Sequence, residues 1–302
     1  VANENRDKSK LAVLVGGERP GGGSGIDWSS MHVPVETVEQ LEKGRASRTV
    51  EDLGETIVID GDDRVVSRAL TAYRRTYAGR ERPVQLVPLR TGSVHRVADA
   101  VGGPRPSERL ARQLAEAGAP DHWHSHDEPT LRVTTSARPA PLWGFSLGAG
   151  IVYRLFETVL RTEGEGLSGL GSMASRLARR FGEEANRDVA ARGDRVSVDY
   201  EPLGDSVGYV VATALSSTWL GLSRGGTAGP VWWRGDSGRE FVRNVASSAA
   251  IPGFLGGGSA ETFGRLHIDG PGGFVLDGAL FDPGEPHVLE VASGRDVTFL
   301  TP

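Results

Sequence analysis

Four short stretches of this chain hold residue types capable of chemistry. The densest in metal-binding side chains is His122-Trp-His124-Ser-His126-Asp-Glu128. On an extended backbone the three imidazoles share one face, and imidazole suits zinc, nickel or copper. The same run also reads as a solvated linker. Gly144-Phe-Ser146-Leu-Gly148 fits G-x-S-x-G, the strand-to-helix elbow that presents a nucleophilic serine. Asp236, then His267 or His287, would complete a triad in the usual chain order, so a serine hydrolase using Ser146 is one reading. The third and fourth stretches are Asp60-Gly61-Asp62-Asp63 and Pro88-Leu-Arg90-Thr91-Gly92-Ser93. Each follows a short apolar run, where ligands of parallel α/β sheets gather. Taken alone, the acidic one is an ordinary turn.

The elements that must position these stretches fall into two kinds. Leu11–Val15 is an apolar run that breaks into the glycine-rich stretch 16–25, the pattern of a buried strand entering a glycine-rich loop. Thr56–Ile59 and Val84–Val87 are further strand signals. Between them Val66, Ala69, Leu70, Tyr73 and Tyr77 share a helical face. Pro106-Ser107 opens a helix carrying Leu110, Leu114 and Ala117, with Ser107 as N-cap. Strand, loop, helix, repeated, predicts a Rossmann-like α/β nucleotide domain over residues 1–129. Asp121 to Pro129 reads as a polar junction. Beyond it, strand signals recur at Val196–Tyr200, Tyr209–Leu215, Phe274–Leu276, Val288–Val291 and Val297–Leu300, with helical stretches near 149–161 and 169–181. Closely spaced strands with glycine turns predict an antiparallel β-sandwich domain over 130–302, whose last strands pack back on the first domain. The ligand site is expected in the cleft between the two.

Composition bounds the function. The net charge of −5 argues against a dedicated nucleic-acid binder. The absence of cysteine removes disulfides, thiolate metal sites and cysteine nucleophiles. No apolar run approaches the ~20 residues of a membrane span, and a cytoplasmic protein is the default. Neither a Gly-Lys-Ser/Thr phosphate loop nor a G-x-G-x-x-G fingerprint follows the first strand. Trp219, Trp232 and Trp233 are candidates to line an apolar, lipid-binding cleft.

In order and spacing the chain resembles the bacterial diacylglycerol kinases and sphingoid kinases, which share a core with NAD kinase. That family has a Gly-Gly-Asp-Gly-Thr loop after one strand and Pro-x-Gly-Thr-x-Asn after the next. Here Asp60-Gly61-Asp62-Asp63-Arg64 and Pro88-Leu-Arg90-Thr91-Gly92-Ser93 stand in those places. Its second domain ends with an Asp-Gly-Glu turn and closing strands, matched by Asp277-Gly278-Ala279 and the runs that follow. The resemblance implies ATP and Mg2+ near Thr37, Gly61, Arg64, Arg90, Thr91 and Gly92. It implies Asp62 as base, Asp277 as a residue helping to organise metal, and a lipid hydroxyl as acceptor, with peripheral membrane contact. Departures from the pattern count against transfer. Asp60 and Asp63 replace glycines, placing three carboxylates within four residues, and unit charges ~4 Å apart repel by about 4 kcal/mol at an effective dielectric near 20. Arg64 and Arg90 either frame the phosphates or pair with Asp60 and Asp63 and fill the pocket. Ala279 replaces the family's Glu. The expectation is a lipid kinase-like protein, impaired in catalysis, that binds a lipid or nucleotide. An active ATP-dependent kinase with an atypical phosphate loop is the alternative.

Overall fold

A computed structural model describes residues 11–16, 23–42, 56–76, 85–92, 95–154, 156–157, 195–203, 207–215, 229–235, 261–270, 272–282, 284 and 287–302. Chain contacts divide it into two units, Val1–Glu128 with Asp296–Pro302, and Pro129–Arg295.

The first unit is a six-stranded sheet with helices on both faces. Its strands are β1 (Leu11–Val15), β2 (Val35–Thr37), β3 (Thr56–Asp60), β4 (Gln85–Pro88) and β5 (His124–Glu128), with the chain's last strand, Val297–Thr301, completing it. The order is β2-β1-β3-β4, then the last strand, then β5. All neighbours are parallel except β5, which runs antiparallel to the last strand with His126 opposite Phe299. The expected polar junction is therefore mostly a strand. Its sequence alternates toward solvent, as an edge strand's does, and carries no apolar signal.

Helix α1 is Val38–Glu42, α2 is Asp63–Thr76, α3 is Arg96–Ala100 and α4 is Glu108–Ala117. Both faces of the central strands are apolar because both are covered. Val13, Val15, Val58 and Val87 pack with Ala111 and Leu114 of α4 and with Trp28. Leu14, Ile57 and Leu86 face the other way, around a cavity of about 160 Å³ shared with Ala69, Leu70 and Tyr73 of α2. The predicted face of α2 is thus the buried one, as far as Tyr73; Tyr77 lies outside the described residues. Ser107 caps α4, its Oγ accepting from Leu110 N at 3.1 Å.

The second unit consists of two antiparallel sheets. In chain order its strands are β6 (Leu131–Thr135), β7 (Arg138–Gly144), β8 (Ser146–Gly150), β9 (Arg195–Val198), β10 (Glu201–Pro202), β11 (Tyr209–Thr213), β12 (Val231–Gly235), β13 (Glu261–Thr262), β14 (Arg265–Asp269), β15 (Phe274–Leu276), β16 (Ala279–Phe281) and β17 (Val288–Ser293). One sheet is ordered β10-β9-β14-β17-β6-β7 and the other β13-β12-β11-β8-β15-β16. Alternate residues of both meet in one core, including Leu131, Val133, Leu266 and Val291 from the first and Leu147, Val210, Trp232 and Phe274 from the second. Trp232 is therefore core and Trp233 is also buried; neither lines an open cleft. Trp219 and the stretch 169–181 lie outside the described residues. The helix expected from residue 149 starts at 151, since Ala149 and Gly150 still belong to β8.

Candidate functional site

The loops leaving β1, β3 and β4 come together at the first turn of α2. Thr91 Oγ1, on a buried residue, donates to Gly61 O at 3.0 Å. Leu89 N donates to Ile59 O at 3.0 Å. Gly92 adopts φ +74°, and a Cβ there would meet Asp62 Cβ at 2.8 Å. A Cβ on Gly23 would touch Thr91 Cβ and Oγ1 at 3.0 Å. Below these contacts, the Val65 side chain occupies the space that a Cβ on Gly16 or Gly61 would need. The glycines are required here for close passage of backbones, before any ligand is considered.

The three acidic residues do not crowd one point, which corrects the expectation from their spacing. Asp60, fully buried at the end of β3, turns toward the β1 loop. Its Oδ1 accepts from Ser24 N at 2.9 Å, and its Oδ2 accepts from Ser24 Oγ and from Trp28 Nε1 at 2.8 Å. Its carbonyl receives Gly16 N at 3.3 Å. Asp63 turns toward the β4 loop, its two oxygens accepting Arg96 N and Val97 N, both at 2.9 Å, at the start of α3. Asp62 stands between them as N-cap of α2, Oδ1 accepting Val65 N at 3.3 Å. The three carboxylates thus clamp three different backbone segments, and N–H donors repay the charge burial.

The arginines also find partners other than those expected. Arg64 places Nε at 2.8 Å and Nη2 at 2.6 Å from Asp62 Oδ2. Arg90 pairs with Asp99, its Nε 3.4 Å from Oδ1 without hydrogen-bond alignment, and His95 approaches the same carboxylate at 3.7 Å. Neither arginine is hydrogen-bonded to Asp60 or Asp63. Thr37, expected to face a nucleotide, is the N-cap of α1. Its Oγ1 accepts Gln40 N at 3.1 Å, while Gln40 Oε1 accepts Thr37 N at 2.8 Å. This is a capping box, legible as Thr-x-x-Gln but overlooked in favour of ligand binding.

In the second unit, Asp277 and Gly278 both have positive φ, +48° and +82°, between β15 and β16. Two such residues make the type I′ hairpin turn that Asp-Gly favours. The Asp277 carboxyl is buried and accepts Phe145 N at 2.9 Å and Ser146 N at 2.8 Å. Burial pushes its pKa up to about 7 against the lowering effect of those two donors. Its oxygens hold the corner between β7 and β8, where metal organisation was expected.

That corner also disposes of the hydrolase reading. Ser146 is the first residue of β8, extended and buried, antiparallel to β11 with Thr213 opposite. Its hydroxyl lies 3.2 Å from Thr213 Oγ1. An elbow needs a sharp turn into a helix with the hydroxyl exposed; this serine has neither. Asp236 lies outside the described residues.

The three histidines do not share one strand face as the period-two reading expected. Only His124 and His126 lie on β5, with His122 in the preceding turn and His124 and His122 exposed. His126 packs its ring near Phe299 at 6.0 Å. Among the described residues no three His, Cys, Asp or Glu gather as a metal would require. For magnesium, then, the described side chains do not fit: Asp62 Oδ2 is occupied by Arg64, and both oxygens of Asp277 by backbone N–H. For a phosphate-bearing nucleotide they fit better. Arg64 and Arg90 are each about a third exposed (29% and 31%) at the loop end of a parallel sheet, and Arg64 adds to the positive end of the 14-residue α2.

Neither a family model nor a curated protein sequence matches the chain. Solved structures do. The crystal structure of a diacylglycerol kinase from Bacillus anthracis str. Sterne aligns with a TM-score of 0.55 at 11% identity, covering 97% of each chain. A putative diacylglycerol kinase from the same organism gives 0.62 at 12%, covering 98% of this chain and 99% of that one. A second putative one gives 0.60 at 12%, covering 97% and 96%. The chain therefore has a mixed α/β fold with several sheets, of the kind seen in bacterial diacylglycerol kinase-like proteins. At this identity the likeness fixes the fold and leaves the chemistry to the residues. Among the described residues no helix is long and apolar enough to cross a membrane.

Proposed function

We propose that this chain is a lipid kinase-like protein that binds a nucleotide or a lipid and is impaired in phosphate transfer. The observation that carries the reading is the state of Asp62. By the resemblance it is the counterpart of the family's acid, and it lies beside Gly92 and Gly61, yet Arg64 occupies its Oδ2 and the α2 N-terminus takes the other oxygen. A general base must reach the proton it removes, and a carboxylate held on both oxygens is poorly placed to do so. Among the described residues the side chains also offer no cluster to hold magnesium. What remains suited to a ligand is the converged loop surface with Arg64 and Arg90, for phosphate oxygens. A lipid hydroxyl or headgroup is the expected second ligand, by analogy with what the similar structures are named for.

Thermal stabilisation and radiolabel transfer, measured with ATP plus diacylglycerol or sphingoid-base vesicles with magnesium present, test this directly. Stabilisation by nucleotide or lipid without transferred phosphate is expected. Transfer that disappears in Asp62→Asn would establish the alternative, an active kinase with an atypical loop. Absence of stabilisation by either ligand would end both readings.

A further inference from the structure

Of the three acids at this loop end, Asp62 has a side-chain partner that can leave. Asp60 is held by Ser24 and the buried Trp28 indole, and Asp63 by two main-chain N–H groups. Those donors are fixed by the fold. Asp62 Oδ2 is held by the side chain of Arg64, two residues on, which is 29% exposed. Breaking that pair needs only side-chain rotation, and Asp62 Oδ1 keeps its cap on Val65 N throughout. The neighbouring cation is not interchangeable with it. Arg68 is gripped by Glu42 through Nε at 3.1 Å and Nη2 at 2.6 Å, with Glu39 at 3.9 Å. The pair is part-buried, with its Arg64 side open to water that screens it, whereas a guanidinium on phosphate oxygens makes two parallel charge-assisted bonds.

We infer that Arg64 exchanges partners: it neutralises Asp62 when no ligand is present and moves onto the ligand's phosphate on binding, releasing the Asp62 carboxylate. This rests on the loops being a phosphate site. It confines the block on Asp62 to the unliganded chain, so that impaired transfer with ligand bound rests on the lack of a metal-holding cluster among the described residues, and ligand affinity is reduced by the strength of the pair that must first break.

The test uses inorganic tripolyphosphate without magnesium, titrated into the full chain and into Asp62→Asn and Arg64→Ala. Calorimetry gives affinity, and the Arg64 Nε–Hε resonance, assigned with Arg64→Lys, reports the guanidinium's partner. Asn is as good an N-cap as Asp, so Asp62→Asn keeps α2 intact. The expected result has three parts. Asp62→Asn binds at least about fivefold more tightly, the upper end of what a solvent-screened ion pair is worth. Arg64→Ala binds several-fold more weakly. The Arg64 resonance of the unmodified chain shifts in proportion to saturation. Binding heat with an unmoved Arg64 resonance and all three affinities within twofold would overturn the exchange while leaving the phosphate site standing. No heat in any of the three proteins would overturn both.

Discussion

Replacing Asp60 by alanine separates two opposite accounts of the acidic loop. If carboxylates within four residues repelled one another, removing one would stabilise the fold, at a net charge of −5. The geometry gives the other sign. Asp60 is fully buried and accepts from Ser24 N, Ser24 Oγ and Trp28 Nε1. Hydrogen bonds to a charged group contribute about 1.5–3 kcal/mol each. Ser24 is half-buried and regains water when its acceptor goes, so its two bonds count at the low end. The Trp28 indole is 1% exposed and keeps the full cost of an unmet donor. The sum is a destabilisation of about 4–6 kcal/mol for Asp60→Ala. Asp60→Asn should lose less, because the remaining carbonyl still serves the indole while its NH2 opposes Ser24 N. The assay is urea unfolding followed by tryptophan fluorescence, with Trp28→Phe identifying the transition that reports this unit. A midpoint for Asp60→Ala equal to or above that of the unmodified chain would refute the anchoring argument and restore repulsion.

Four further outcomes follow from the same geometry. Gly16→Ala and Gly61→Ala should each destabilise by about 1–3 kcal/mol through overpacking. Val65→Ala should then relieve only the first, because Gly16 meets chiefly Val65 Cγ2 while Gly61 also meets Val65 Cβ at 2.6 Å; paired melting curves check this. Asp63→Ala should cost about 1–2 kcal/mol by uncapping α3, with faster amide exchange at Arg96 and Val97. Asp277 has a folded pKa raised to about 7 from 3.8, so the folded state holds its proton where the unfolded state has released it. Stability from this group is therefore full below about pH 4, falls as pH rises, and is gone above about 7; urea midpoints at pH 4.5, 6 and 8 in Asp277→Asn should flatten that slope. Ser146, buried on β8, should not react with a fluorophosphonate probe in the folded protein.

The parts legible in the sequence were those with local causes. Leu11–Val15 and Phe274–Leu276 announced themselves by short apolar runs, and Ser107 by capping chemistry, and all three stand as read. Of the Val84–Val87 run, Gln85–Val87 lie in a strand that continues to Pro88, and Val84 lies outside the described residues. β5 was missed because an edge strand with polar side chains resembles a linker. Tyr200 was read as part of an alternating strand, but it lies in the turn after β9 with φ +74°. At the site, spacing brought the right loops into view, yet it could not say where each carboxylate points. Asp60 finds its donors 36 and 32 residues upstream, and Asp63 finds its own more than 30 residues downstream. Proximity along the chain suggested repulsion; the partners that remove it are long-range and carry no sequence signature.

The placement of Val297–Thr301 has a bearing on how the protein is made. This segment sits between β4 and β5, so the first sheet lacks an interior member until residues 297–301 have left the ribosome. The intervening Pro129–Arg295 unit emerges earlier with all its own strands. Synthesis from the N-terminus therefore favours completing the inserted unit first. A chain stalled or clipped before residue 297 would carry β4 and β5 with bare, unpaired backbone edges, the kind of surface that recruits other chains.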